Sequence, residues 1–219
     1  MAKDLVVILN NGSINSAVTT AIAAQKYRTV LLYAETGENA QTPQRGAYDL
    51  QVAHFKPYRE HTLPMPYLAL IHPAARSAGS VSDPRHPTPI SPQMIDLIPL
   101  ISAGLRVAVQ YQAVALFLGM RVGNHADELA QATEYIQIWS ELIQLPCNQP
   151  ETTIEAPLLE LEPWQVIDLG YQVSAPFERT WSCADDGSEP CWACNGCRAR
   201  EAAFHQAAKS DPLRSVRKM

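Results

Sequence analysis

The chain has 219 residues, of which 47% are hydrophobic and 18% charged, and its formal net charge is −5 at pH 7. This length predicts one domain, or one domain with an appendage, that can bury its own core. The composition excludes a disordered chain, a collagen-like chain and a coiled coil. The negative charge disfavours direct nucleic-acid binding, which draws much of its affinity from cationic side chains on phosphates.

The first residues argue against export. Residues 1–9 carry a short apolar run with no small-residue cleavage site after it, unlike a secretory signal. The longest apolar run, residues 113–120, has eight residues, whereas a membrane-spanning helix needs about 20. The sequence therefore predicts a cytoplasmic protein without a membrane segment.

Strands and helices alternate along the chain. Apolar runs rich in β-branched residues predict strands that are buried on both faces, as in a parallel sheet. The predicted strands are residues 5–9, 29–34, 60–65, 113–119 and 153–156. The first predicted helix is capped by Ser13 or Asn15 and ends near residue 27, and the later ones are residues 43–56, 100–112, 127–144, 163–170 and 198–209. This alternation indicates an α/β fold: a mostly parallel sheet of about five strands with helices on both faces.

Three finer expectations concern side chains and helix ends. Gly170 is predicted to end its helix, because glycine is common just past a helix end. Trp164 is predicted to lie in the core. The residues predicted on the inward face of helix 127–144 are Leu129, Ile136, Trp139, Leu142 and Ile143.

Residues 64–92 interrupt the alternation. They contain seven prolines, each of which fixes φ and removes a backbone donor. We predict a long, largely irregular connection here, near the mouth of the site.

Four of the five cysteines lie within 15 residues: Cys183, Cys191, Cys194 and Cys197. In a chain without an export signal, this clustering indicates metal binding rather than disulfides. Two overlapping Cys-x2-Cys steps and a seven-residue loop bring four thiolates together, which predicts a closed, structural, tetrahedral zinc site. The alternatives are an iron–sulfur cluster, a redox Cys-x2-Cys pair and unliganded thiols. Cys147 is remote in sequence and is predicted to be a small apolar residue.

The residues around these cysteines resemble the C-terminal signature of the 7-cyano-7-deazaguanine synthase family. The matching motifs are Thr-Trp-Ser-Cys ending at Cys183, Pro-Cys-x2-Cys-x2-Cys-Arg-x-Arg from Pro190 to Arg200, and Phe204. Upstream, Glu-Ala-Pro-Leu from Glu155 and Pro-Phe-Glu from Pro176 fit the same family. The specific match covers residues 150–213, and the rest of the chain matches in layout.

The resemblance implies a fold, cofactors and a reaction. The fold is of the adenine-nucleotide α-hydrolase type, with a pyrophosphatase loop after the first strand and a four-cysteine zinc site. The family uses ATP, with Mg²⁺, to adenylate the carboxylate of 7-carboxy-7-deazaguanine. Ammonia displaces AMP to give an amide, and a second activation dehydrates this amide to the nitrile. This ligase activity serves queuosine biosynthesis.

The family's phosphate loop reads Ser-Gly-Gly-x-Asp-Ser, and residues 11–16 stand in its place. Gly12 and Ser16 match, whereas Asn11, Ser13 and Asn15 replace Ser, Gly and Asp. Backbone N–H groups at a helix N-terminus can still cradle an anion, so we expect these five residues to bind a nucleotide phosphate. Ser13 would be strained at positive φ. Asn15 lacks the charge that a hard cation prefers, which would weaken a Mg²⁺-assisted step.

Other family elements are eroded. Residues 33–38 lack the expected histidine, residues 99–102 lack an Arg-Asn pair, and residues 130–135 keep only a Glu-aromatic pair. A substrate loop is predicted loosely after the fourth strand, at Gly123, Asn124, His125 and Asp127. No catalytic residue is assigned.

Three functions are therefore open. The first is a divergent synthase that activates a carboxylate with ATP and transfers nitrogen to a deazaguanine-like molecule. The second is a catalytically silent relative that binds nucleotides or forms a complex, and the third is a modifier that attaches a deazaguanine-like group to a macromolecule. The expected partners are a nucleotide or deazaguanine-like small molecule and a second copy of the chain in a homodimer.

The domain prediction divides the chain after residue 180. Residues 1–180 form a nucleotide-binding α/β domain, and residues 181–219 form a zinc-binding tail packed on it. The tail is basic, and its cationic side chains are predicted to be solvated: Arg198, Arg200, Arg214, Arg217 and Lys218.

Overall fold

One sheet of five parallel strands organises the computed structural model, which describes residues 3–37, 41–71, 92–147 and 152–215. The strands are β1 (Leu5–Leu9), β2 (Arg28–Glu35), β3 (Arg59–Pro64), β4 (Ala115–Leu118) and β5 (Thr153–Glu155). Their order is β3-β2-β1-β4-β5, and Val7 of central β1 pairs with Val30 of β2 and Leu116 of β4. The predicted five-stranded parallel sheet is confirmed.

The carboxyl ends of β1 and β4 form the topological switch point of this sheet. The chain proceeds from β1 to β2 and β3 on one side, then returns so that β4 pairs with the other side of β1. Ligands of open parallel sheets bind in the crevice at such a point. This places the loops after β1 and β4 beside each other.

Helices cover both faces of the sheet, as predicted. They are α1 (Ile14–Lys26), α2 (Gln41–Phe55), α3 (Tyr67–Ile71), α4 (Pro92–Tyr111), α5 (Ala126–Cys147), α6 (Pro163–Gln172), α7 (Asn195–Gln206) and α8 (Pro212–Ser215). On one face, Val7 and Leu116 share a core with Ile101 of α4 and Ala132 of α5. On the other face, Val6, Ile8 and Leu31 share a core with Ala23 of α1 and Tyr48 of α2.

A third core joins α1 to the C-terminal region. Val18 of α1, Ile167 of α6 and Phe204 of α7 are buried together. A 3₁₀ turn, Phe177–Arg179, lies between α6 and α7 and adds Phe177 to this core. The division of the chain after residue 180 stays a prediction.

Several predicted helix ends are wrong: α7 spans Asn195–Gln206 rather than residues 198–209, and α5 ends at Cys147 rather than residue 144. The ends of α4 and α6 are wrong as well. Helix α4 begins at Pro92 rather than residue 100 and contains Pro99. Pro99 lacks the N–H that would bond to the carbonyl of Ile95, a residue that is itself exposed. Helix α6 continues through Gly170, where a Cβ would lie 2.3 Å from Phe177 and 2.9 Å from Val18. Gly170 thus permits close packing rather than ending the helix.

Three side-chain predictions also need correction. Leu142 is exposed, although its helix buries Ile143. Trp164 lies in the first turn of α6 and is also exposed. Arg200, predicted to be solvated, is buried against Asp211. Apolar character and charge along the sequence do not determine burial where the partner comes from another element.

The proline-rich stretch is only partly described. Strand β3 extends to Pro64, and α3 forms a short helix at Tyr67–Ile71, so the stretch is not irregular throughout. Residues 72–91 lie outside the described residues, and α4 begins at Pro92.

Helix α4 is unusually apolar. Its Met94–Tyr111 stretch is long and apolar enough to cross a membrane by length and composition, which the expectation based on uninterrupted runs missed. Core helices of soluble proteins can be equally long and apolar, so length and composition alone are weak evidence for a membrane span. Unlike most such core helices, this stretch is only 28% buried.

Candidate functional site

The loop after β1 adopts the conformation that its sequence requires. Gly12 has φ of +79°, the left-handed region that favours glycine, and a Cβ there would lie 2.4 Å from the carbonyl oxygen of Gln44. Ser13 has φ of −78° and caps α1, its Oγ accepting from the N–H of Ser16. The strain anticipated at Ser13 therefore does not arise.

Three amide N–H groups of this loop, those of Asn11, Ser13 and Ser16, donate to side chains of the loop itself. Asn11 Oδ1 accepts from the Ser13 N–H at 3.2 Å and from Ser16 Oγ at 2.8 Å. Ser16 Oγ accepts in turn from the Asn11 N–H at 3.3 Å. An anion must displace the Asn11 and Ser13 side chains to use these donors.

Asn15 does more than lack a charge. Its Nδ2 donates to the carbonyl oxygen of Gly119, just after β4, at 3.1 Å. A Cβ on Gly119 would lie 3.2 Å from the Ser16 nitrogen, so α1 and this loop approach closely. A carboxylate at position 15 could not donate to that carbonyl, so an aspartate there would lose the hydrogen bond between α1 and the residue after β4.

Sequence reasoning missed a buried polar network beneath the loop. Asn10 Oδ1 accepts from the Gly12 N–H at 2.8 Å, and its Nδ2 donates to Gln51 Oε1 at 2.9 Å and to Thr20 Oγ1 at 3.2 Å. Gln51 Nε2 donates to the carbonyl oxygen of Arg179 at 3.0 Å. The available signal was Asn10 itself, a polar residue directly after a strand buried on both faces.

The loosely predicted substrate loop lies after β4 and is fastened to Glu162. Glu162 Oε1 accepts from the Asn124 N–H at 3.1 Å, and Gly123 has φ of +81°. His125 and Asp127 are exposed at the start of α5. The structure therefore places this loop at the carboxyl edge of the sheet and leaves its two ionisable side chains in solvent.

The four clustered cysteines come together as predicted. Their Sγ atoms all lie within 4.8 Å of one another, with Sγ–Sγ distances of 3.4 Å for Cys183–Cys191 and 3.9 Å for Cys183–Cys194. Cys183 and Cys197 are buried, and Cys191 is exposed. Such a group can hold a metal ion.

Backbone amides point at these sulfurs and favour thiolates. Cys183 Sγ accepts from the Cys191 N–H at 3.3 Å, and Cys194 Sγ accepts from the Cys197 N–H at 3.4 Å. Burial opposes ionisation of Cys194, but the N–H groups of Ala184 and Cys197 lower its pKa to about 6. Burial and the neighbouring Cys194 thiol raise the pKa of Cys197 to about 12. The two neighbouring thiols thus have pKa values shifted in opposite directions. A bound cation would favour the thiolate form of both.

A family model described as "Queuosine biosynthesis protein QueC" matches residues 5–208. The chain belongs to the QueC family. A 7-cyano-7-deazaguanine synthase of Chloroherpeton thalassium is 27% identical over 94% of this chain and 95% of its own length. One from Thermosynechococcus vestitus is 31% identical over 52% of this chain and 50% of its own. These identities confirm the resemblance and make the chain a divergent member.

Among solved structures, the likeness is remote. The U34-tRNA thiolase NcsA from Methanococcus maripaludis, with its [4Fe-4S] cluster, is 14% identical at a TM-score of 0.49, covering 99% of this chain and 67% of that one. An NAD+ synthetase from Burkholderia pseudomallei is 14% identical at a TM-score of 0.48, covering 98% of this chain and 78% of that one.

Proposed function

We propose that this protein is a divergent relative of 7-cyano-7-deazaguanine synthase that binds an adenine nucleotide at residues 11–16. The observation that carries the proposal is the position of this loop, at the topological switch point and at the N-terminus of α1. The helix dipole and the N–H groups at a helix N-terminus favour a phosphate there. The proposed compartment is the cytoplasm, where thiols stay reduced.

The proposed reaction joins a carboxylate to nitrogen at the expense of ATP. A carboxylate oxygen of a deazaguanine-like substrate attacks the α-phosphorus, and pyrophosphate leaves. Ammonia then attacks the acyl carbon, and AMP leaves with the former carboxylate oxygen, which yields the amide. Residues 11–16 contain no carboxylate, so they do not fit Mg²⁺ as direct ligands, and no step here uses that ion.

Two measurements test this proposal. Calorimetry with ATP reports binding, and exchange of labelled pyrophosphate into ATP with 7-carboxy-7-deazaguanine present reports carboxylate activation. Binding together with exchange supports a working synthase. Absence of ATP binding would refute the proposal.

A catalytically silent, nucleotide-binding relative is the second candidate. It is favoured by the loop's internal hydrogen bonds and by the Asn15 contact with Gly119. ATP binding without exchange would support it over the synthase.

Replacing Asn11 by alanine is expected to tighten ATP binding. The substitution removes the carboxamide that occupies the Ser13 N–H and the Ser16 hydroxyl. An anion can then bond to the Ser13 N–H and the Ser16 hydroxyl without displacing the Asn11 carboxamide. Each net hydrogen bond gained corresponds to a roughly fivefold to tenfold lower dissociation constant. Calorimetry of both proteins measures the ratio. Asn11→Asp is the control: it keeps the shape, adds a negative charge and should weaken binding below that of the natural protein.

We further propose that the four cysteines hold one structural zinc ion. A tetrahedron with metal–sulfur bonds of about 2.3 Å has edges of about 3.8 Å, close to the 3.4 and 3.9 Å Sγ separations. In a [4Fe-4S] cluster each cysteine binds a different iron at a corner of a cube. The cysteine sulfurs of such a cluster lie farther apart than these four, which are all within 4.8 Å of one another. The donor set and its spacing fit zinc.

A homodimer through α4 and α5 is the proposed oligomeric state. Tyr135 Oη donates to the Met94 carbonyl where these helices meet. The same two helices carry four large, exposed apolar side chains: Ile95, Ile98, Ile138 and Leu142. Light scattering after size-exclusion chromatography is expected to give a dimer for the natural protein and a monomer for Ile98→Lys. A monomeric natural protein would contradict this proposal.

A further inference from the structure

The carbonyl group of Gly12 accepts a hydrogen bond from a residue outside the phosphate loop. The Trp181 N–H donates to the Gly12 carbonyl oxygen at 2.9 Å. Trp181 stands two residues before Cys183, the first cysteine of the cluster. The phosphate loop and the entry to the cysteine cluster are therefore joined by a direct backbone hydrogen bond.

The amide of Gly12 is tied to the same segment through two buried side chains. Its N–H donates to Asn10 Oδ1, Asn10 Nδ2 donates to Gln51 Oε1, and Gln51 Nε2 donates to the Arg179 carbonyl. Both Asn10 and Gln51 are buried. Residues 179–181 consequently fix both hydrogen-bonding groups of Gly12.

Helix α2 fills the space between the loop and the cysteines. Ala47 is buried in one cluster with Trp181, Cys183 and Cys197. A Cβ on Gly12 would lie 3.0 Å from the Ala47 Cβ, so the same alanine also borders the phosphate loop. Displacement of the cysteine segment would therefore be transmitted to Gly12 by packing as well as by hydrogen bonds.

The segment that carries these contacts has little regular structure of its own. Residues 180–194, all of which the structure describes, lie outside helices and strands. A metal on four thiolates would cross-link this segment to Cys197 in α7. Without the metal, this segment would be held by hydrogen bonds, including the one from Arg200 to Thr180 Oγ1, and by the burial of Trp181.

We infer that the cysteine cluster positions the phosphate loop, so that metal at the cysteines fixes the Gly12 backbone through residues 179–181 and Ala47. The consequence for nucleotide binding rests on the proposed function of residues 11–16. The structural coupling itself does not, because its contacts involve no nucleotide.

Hydrogen–deuterium exchange tests this coupling directly. The zinc-loaded full chain is compared with protein stripped by a chelator and desalted. Stripping is expected to speed exchange of the Gly12 amide about tenfold, the factor for one net hydrogen bond, while amides in the middle of α5 keep their rate. An unchanged Gly12 rate beside faster exchange at residues 183–197 would overturn the inference. Uniform acceleration throughout the chain would also overturn it, because it would mean global unfolding.

A variant provides a second test that leaves the thiols intact. Gln51→Leu removes the link between Asn10 and Arg179, and should speed Gly12 exchange while zinc content stays at one equivalent. Gln137→Leu, on the exposed side of α5, is the matched control and should leave the Gly12 rate unchanged. Equal Gly12 rates in the two variants would contradict the inference.

ATP calorimetry on zinc-loaded and stripped protein separates this inference from the proposed function. About tenfold weaker binding after stripping supports both. Absence of binding in both forms, with the exchange difference present, refutes the nucleotide proposal and leaves the coupling standing. Equal ATP affinity without an exchange difference overturns the coupling alone.

Discussion

Replacing Cys183 by serine is expected to abolish stoichiometric zinc binding and to lower the melting temperature by about 10 °C or more. Cys183 is buried, and its sulfur lies 3.4 Å from that of Cys191 and 3.9 Å from that of Cys194. Apparent zinc-binding free energies of roughly 10–16 kcal/mol act as folding energy in small zinc domains. Here the sheet and its helices remain, so we expect loss of only part of that amount, at about 2–4 °C per kcal/mol.

Metal analysis of purified protein and a thermal melt measure both effects. Cys147→Ala is the control, because Cys147 stands at the end of α5, remote in sequence from the cluster. It should retain one equivalent of zinc and cost about 1 kcal/mol or less. Iron in the natural protein, or full zinc in Cys183→Ser, would contradict the assignment.

The parts of the fold that could be predicted are those with a local cause. Strand β1 was predicted to the residue, because an unbroken apolar run between polar turns has few alternatives. The cysteine cluster could likewise be predicted from the spacing of its four cysteines. The start of α4 could not be predicted in this way, because a proline such as Pro99 usually indicates a helix boundary, yet α4 continues through it.

The candidate site was predicted less completely, because its contacts join distant parts of the chain. The sequence shows that Asn15 replaces an aspartate but not that Asn15 bonds to Gly119. Likewise, it places Asn11 in the loop without showing that its oxygen accepts from Ser13 and Ser16. Replacing Asn11 or Asn15 by the family's residue would therefore break these contacts.

Arg200 is the clearest case of a residue whose role depends on a distant partner. Its guanidinium makes a bidentate pair with Asp211, with Nε–Oδ2 at 2.6 Å and Nη2–Oδ1 at 2.8 Å. It also donates to Thr180 Oγ1 at 2.7 Å and to the Phe177 carbonyl at 3.1 Å. The side chains of Arg200 and Asp211 are only 2% and 5% exposed. Arg200 thereby fastens α7 to the segment that leads into the cysteines.

Replacing Arg200 by methionine is expected to destabilise the fold by about 3–5 kcal/mol, because it removes the buried guanidinium that pairs with the Asp211 carboxylate. Chemical denaturation measures this free energy. The double variant Arg200→Met, Asp211→Leu should recover part of the loss, since two apolar side chains leave no uncompensated charge. Arg214→Met is the matched control: Arg214 pairs with Glu201 at 2.9 Å, but both side chains are 48% exposed, so its loss should cost less than about 1 kcal/mol. Equal costs at positions 200 and 214 would show that burial of the Arg200–Asp211 pair does not determine its contribution.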